Sequence, residues 1–147
     1  MDCGVRATER IAEARSAGID VIVCDHHKPG DVLPDAEAVL DPNRADCPYP
    51  CKALSGCGVG FKLIEAYTRR TGGDPTTLEP YLDLVAVSIA ADIVPITGEN
   101  RVLMYYGLKQ IMEAPRPGIR RLFAVAGHKS REKTVSDIVF TLSLIHI

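Results

Sequence analysis

Apolar and polar positions fall into short blocks along this chain, and the period changes from block to block. Over residues 5–17, Val5, Ile11 and several alanines alternate with Arg6, Glu9, Arg10, Glu13 and Arg15, a pattern that predicts an amphipathic helix ending near Gly18. Residues 19–24 (IDVIVC) are mostly apolar and branched, as a parallel strand covered on both faces requires. Polar side chains then arrive together in Asp25, His26, His27 and Lys28, before the turn signal Pro29-Gly30. Residues 37–41 predict a second short strand, ended by Pro42. The segment 43–55, broken by Pro48 and Pro50, is longer than an ordinary connection, which marks it as functional or mobile. Helices are expected over 59–70, with Phe61, Leu63, Ile64 and Tyr67 on a buried face, over 78–91, closed near Asp92 and Pro95, and over 99–114. Pro115 and Pro117 bracket the start of a short helix reaching about Val125. Residues 137–140 resemble a strand, and 141–147 (TLSLIHI) form an apolar tail with no cap or turn.

This order predicts an α/β fold: a parallel sheet flanked by helices in the first third, followed by a helical second half. A chain of 147 residues suits one domain better than two. The expected division is a partial domain over 1–140 and an abrupt, non-native or truncated tail over 141–147. Asp2 and Gly4 have the character of a strand end and the turn after it, so the strand itself is expected to be missing and both termini to be cut.

Composition narrows the class. Apolar residues make up 46% of the chain, as in soluble globular proteins, and no run approaches the roughly 18 apolar residues of a membrane span. The first fifteen residues lack the basic and apolar regions of a secretory signal, so a cytoplasmic location is expected. Five cysteines invite a metal reading, but the spacing of Cys47, Cys51 and Cys57 matches no paired zinc knuckle, and no histidine follows at ligand spacing. Free thiols are the expectation. A net charge of −2 does not announce a nucleic-acid binder, although residues 101–133 carry eight Lys or Arg against Glu113 and Glu132, a face that a phosphate-bearing partner or plain solvent would suit.

The candidate chemistry lies where strands end. In open parallel sheets, ligands sit beyond the carboxyl ends of the strands. Asp2 and the Asp25-His26-His27 word occupy equivalent positions one helix apart, and on adjacent strands they would lie about 5 Å from each other. Carboxylate and imidazole donors at that spacing favour Mn²⁺ or Mg²⁺, ions that polarise phosphoryl oxygens and acidify a bound water. Taken alone, the three-residue word also suits a surface loop with an incidental histidine pair, a reading that its place after an apolar strand and before Pro-Gly weakens. Asp92 follows a long apolar run, so it is either a carboxylate at a buried helix end, whose charge a metal would compensate, or a helix-ending aspartate in water. Gly56, Gly58 and Gly60 either turn backbone N–H groups toward a phosphate or permit close packing. Lys28 and Lys52 are candidates for substrate attraction by charge alone.

Four segments carry more information together than the short word does: DCGV at 2–5, VIVCDHHKPGDVLPDAEAVLDPNR at 21–44, PYPCKALSGCGVGFKL at 48–63 and VAVSIAADIVPITGENR at 85–101. In that combination the chain resembles the DHH phosphoesterase superfamily and, within it, the RecJ-type single-strand-specific DNA exonucleases. The resemblance implies Asp2, His26 and Asp92 as metal ligands, with Asp25 orienting the local network and His27 contacting the substrate phosphate or leaving oxygen. It implies a site role for Arg101 and, with it, Asn100, which together close the family-like GENR segment. It further implies two Mn²⁺ or Mg²⁺ ions, single-stranded DNA as partner, and a 5′ to 3′ exonuclease that releases 5′-mononucleotides as a monomer. The aspartate-rich first motif of the family belongs upstream of Asp2, so the chain by itself is expected to be inactive. The alternatives are a phosphodiesterase acting on short oligonucleotides or cyclic dinucleotides, and a non-catalytic structural fragment.

Overall fold

The computed structural model describes residues 2–127 and 134–138. The chain divides into two compact units, Met1–Ile64 and Glu65–Ile147. Among the described residues no helix is long and apolar enough to cross a membrane.

The first unit holds the sheet. Strand β1 (Ile22–Cys24) pairs in parallel with β2 (Ala38–Leu40), in the register Ile22 to Ala38, Val23 to Val39 and Cys24 to Leu40. Glu37 N–H donates to the Val21 carbonyl and Asp25 N–H to the Leu40 carbonyl, both at 2.9 Å, which continues the ladder past each strand end. On the other edge of β1, Asp2 N–H donates to the Cys24 carbonyl at 2.8 Å. The carboxyl end of β1 is thereby fixed from both sides.

Helix α1 (Thr8–Ser16) is shorter than its sequence pattern suggests and buries Ile11. Its end is the Schellman arrangement: Gly18, at φ 75°, donates to Arg15 at 2.9 Å, and Ile19 donates to Ala14 at 3.0 Å. Helix α2 (Gly56–Arg70) starts three residues before its predicted position. Glycine disfavours helix, but Ser55 caps this end by accepting from Gly58 N–H on its Oγ at 3.2 Å. The buried residues of α2 are Gly56, Gly58, Val59 and Gly60, whereas Ile64 and Tyr67, expected inside, are exposed.

The second unit is helical. The expected helix over 78–91 divides into a 3₁₀ segment (Pro75–Tyr81) and α3 (Leu82–Ala91), because Pro80 has no N–H for an α-helical ladder. Asp74 caps the 3₁₀ segment, accepting from Thr76 N–H at 2.9 Å. Helix α4 (Gly98–Glu113) crosses α3 at Gly107, where a Cβ would stand 2.3 Å from the Leu82 carbonyl oxygen. Helix α5 follows (Pro117–Val125).

Arg116 does not belong to a solvated basic face: it forks onto the wholly buried Asp83, with Nε 2.5 Å from Oδ2 and Nη2 2.9 Å from Oδ1. The strand expected at 137–140 is instead a helical turn, α6 (Val135–Ile138), as far as the described residues reach. Thr134 and Asp137 form a reciprocal cap there: Asp137 Oδ2 accepts from Thr134 N–H at 2.7 Å, and Thr134 Oγ1 accepts from Asp137 N–H at 3.2 Å. The expected tail over 141–147 lies outside the described residues.

Candidate metal centre

Asp25 organises the end of β1. It is 1% exposed, yet its carboxylate accepts from Val5 N–H at 2.9 Å, His26 N–H at 2.8 Å, His27 N–H at 3.2 Å and the His27 ring at 2.7 Å. Burial pushes its carboxyl pKa up, but the bonds from Val5, His27 and His26 outweigh burial and hold it at about 2. An ionised carboxylate is acceptor only, so the His27 proton sits on Nδ1 and its Nε2 is directed elsewhere. Asp25 thus fixes a tautomer, as carboxylates behind functional histidines do.

Asp2 meets this group across the edge of the sheet. Its Oδ1 lies 3.0 Å from His26 Nε2, with the His26 side chain mostly buried and that of Asp2 about half exposed. Donor atoms of Asp2, His26 and His27 all fall within 4.8 Å of one another. One carboxylate oxygen and imidazole nitrogens in that space suit a divalent cation of the Mn²⁺ or Mg²⁺ type, and the set contains no thiolate. His27 is therefore closer to the ligand cluster than a purely substrate-facing residue would need to be. The two rings meet edge to face, with centroids 4.5 Å apart.

Two features explain how Asp2 reaches this position. Its backbone takes φ 71°, a left-handed conformation that aspartate tolerates better than most residues. Gly56 also gives it room, since an ideal Cβ on Gly56 would stand 1.9 Å from Asp2 Oδ1 and 2.6 Å from its Cγ. Of the two roles open to the glycines, close packing therefore has direct geometric support at Gly56. Gly58 is also in contact, with its Cβ position 3.3 Å from Ser55 Oγ, and Gly60 is buried in the helix.

An open cavity of about 310 Å³ adjoins the cluster, lined by Cys3, Gly4, Val5, Arg6, Asp25 and His27. Arg6 Nε donates to the Lys28 carbonyl at 2.7 Å, which anchors a guanidinium at this opening. Sequence pattern treated Arg6 as one charge on a helix face and did not single out Asn43, whose Nδ2 donates to the His26 carbonyl at 2.6 Å.

The remaining candidates belong to the second unit. Asp92 is the C-cap of α3 and is exposed, so the argument from a buried carboxylate does not apply to it. Its Oδ2 accepts from Ser88 Oγ at 3.2 Å, and it precedes Ile93, which holds φ 53°. Asn100 is wholly buried and donates from Nδ2 to the Pro95 carbonyl at 3.0 Å, bracing the loop between α3 and α4. Arg101 stands exposed in the first turn of α4. No disulfide joins the five cysteines.

Comparison with known proteins gives a consistent result. Residues 1–89 match the family described as DHH family, N-terminal domain. The single-stranded-DNA-specific exonuclease RecJ of Salmonella typhimurium is 41% identical over 97% of this chain, which spans 26% of that protein. Among solved structures, exonuclease RecJ bound to manganese superposes with a TM-score of 0.81 at 33% identity, covering 97% of this chain and 35% of that one. RecJ of Thermus thermophilus in complex with Mn²⁺ gives 0.79 at 32% identity, covering 97% and 21%. The chain thus spans about a quarter of the length of the curated relatives it matches.

Proposed function

From the premise that this chain belongs to the DHH family, we propose that it supplies Asp2, His26 and Asp92 as ligands for Mn²⁺ or Mg²⁺ in a phosphodiester hydrolase acting on single-stranded DNA. The observation that carries this proposal is the convergence of Asp2, His26 and His27 within 4.8 Å at the carboxyl end of β1. The manganese in the RecJ structures supports the choice of ion.

In the whole protein Asp2, His26 and Asp92 would help to hold two such ions, which when bound would polarise a phosphate and acidify a water. The residues of this chain contribute positioning, hydrogen bonding and proton transfer. Asp2 and His26 bind on the side fixed by Gly56 and by the sheet edge. His27, with its Nδ1 proton held by Asp25, presents Nε2 to a phosphate or leaving oxygen as hydrogen-bond partner or, once protonated, as proton donor. Arg101 meets phosphate or braces the metal carboxylates, and Asn100 sets the loop that precedes it. Digestion proceeds from the 5′ end and releases 5′-mononucleotides, with the protein acting as a cytoplasmic monomer.

The test uses the full-length protein: release of label from 5′-labelled single-stranded DNA, with and without Mn²⁺, in the wild type and in His26→Ala. Loss of a metal ligand is expected to lower the Mn²⁺-dependent rate by about two orders of magnitude or more. Equal rates for the two proteins would overturn the assignment. A substrate length series checks the polymer preference, since a rate that falls as the strand lengthens would overturn the exonuclease reading in favour of a short-substrate phosphodiesterase.

A further inference from the structure

The segment after β2 contains a buried charge that the proposed chemistry does not use. Asp41 is 3% exposed and stands beside Asp25, one step past the Cys24 to Leu40 pair. Its Oδ1 accepts from Asn43 N–H at 2.8 Å, closing a tight turn through the buried Pro42. Its Oδ2 has no hydrogen-bond partner among the described residues. Burial pushes this carboxyl up, the Asn43 bond pulls it down and the Asp25 charge pushes it up again. A buried carboxylate oxygen left unpaired is costly, so its presence at a strand end calls for a compensating role.

That role is visible two residues along. The turn closed by Asp41 aims the Asn43 side chain back across the sheet, where Nδ2 donates to the His26 carbonyl at 2.6 Å. This carbonyl belongs to the peptide joining His26 to His27. Arg44 fastens the same turn to β2 by donating from Nη1 to the Val39 carbonyl. The N–H on the other side of that peptide, from His27, is held by Asp25 Oδ1 at 3.2 Å. The peptide between the two histidines is therefore gripped on both of its polar groups, by Asp25 on one side and Asn43 on the other.

We propose that Asn43, held by Asp41, is a positioning residue that fixes the peptide between His26 and His27 and so sets the angle at which the His26 ring meets its metal. The inference rests on the reading of His26 as a ligand. Without the clamp this peptide can rotate, and the two rings lose their edge-to-face relation.

Asn43→Ala, the nearly isosteric Asn43→Leu, Asp41→Ala and Asp41→Asn are made in the full-length protein alongside His26→Ala. Mn²⁺ binding is followed by the electron paramagnetic resonance of the free ion, and KM for single-stranded DNA is measured separately. Removing the donor from Asn43 is expected to weaken Mn²⁺ binding by roughly tenfold or more while leaving KM for DNA near the wild-type value, since residues that orient metal ligands carry effects of that size. Asp41→Ala should follow the Asn43 variants. Asp41→Asn keeps an acceptor oxygen for the Asn43 N–H and should bind Mn²⁺ close to wild type. If Asn43→Ala does not fold, Asn43→Leu carries the comparison. Asn43 variants that bind Mn²⁺ like the wild type, while His26→Ala loses it, overturn this inference alone. Unchanged binding in His26→Ala overturns the metal reading and this inference with it.

Discussion

Gly56 and Asp2 occupy one another's space: a methyl group on the first residue of α2 would stand 1.9 Å from Asp2 Oδ1 and 2.7 Å from its Cβ. Rotating the carboxylate alone cannot clear both contacts, so Gly56→Ala must move Asp2 itself. The helix loses nothing by the change, because alanine is favoured over glycine by about 0.5–1 kcal/mol in a helix. We expect Gly56→Ala to leave the denaturation midpoint near the wild-type value and to weaken Mn²⁺ binding by about tenfold or more. Titration calorimetry and urea unfolding on the same protein check both halves.

The Arg116 fork onto Asp83 predicts a different balance. Asp83 is wholly buried, and Arg116→Ala leaves that carboxylate uncompensated. Breaking a buried pair from one side costs about 3–5 kcal/mol, and the partial exposure of Arg116 places this case at about 3 kcal/mol, the low end. Arg116→Lys keeps the charge but loses the second bond and the contact over the Tyr81 ring, 5.5 Å away, so it should fall between the two. Guanidinium unfolding of the three proteins measures the order.

Asp74 gives a pH signature. Its hydrogen bonds to the Thr76 side chain and Thr76 N–H hold its carboxyl below the ordinary value of 3.8. A carboxyl lowered in the folded state stabilises above that value, and the contribution is lost as pH falls through the lowered pKa. Wild type should therefore be more stable than Asp74→Ala at neutral pH, with the gap narrowing below about pH 4. A gap that stays constant down to strong acid would show that the cap does not act through the carboxylate.

Ile93 holds φ 53° with its side chain 82% exposed. A β-branched residue is strained in the left-handed region, and here little apolar contact offsets the strain. Asparagine tolerates that region, so Ile93→Asn is expected to stabilise the protein by about 0.5–1 kcal/mol, read as a raised urea midpoint. A lowered midpoint would show that Ile93 contributes packing after all.

The parts of this molecule that could be read from sequence are those where neighbouring positions decide the outcome. The apolar run before Asp25, the turn at Gly18 and the prolines flanking α5 each act within a few residues, and the strands and helices follow them. Contacts that join distant positions left no such mark. Asn43 reaches His26 across 17 positions, and Arg116 reaches Asp83 across 33, with nothing in the local period of either segment to announce it. The start of α2 was hidden for the opposite reason, because glycine propensity argued against a helix that the Ser55 cap permits. The strand-like composition of 137–140 masked the reciprocal Thr134 and Asp137 cap, although that spacing was itself a legible signal.

The carboxylate of Asp25 gathers hydrogen bonds from Val5, at the entrance to α1, and from both histidines at the end of β1. A chemist wishing to transplant the Asp-His-His word onto another strand could not carry over three residues alone. The graft would need an incoming loop with a free N–H at the position of Val5, because without that fourth donor the aspartate would lose part of what keeps it charged in a dry site. The portable unit is a strand end together with the loop that crosses it.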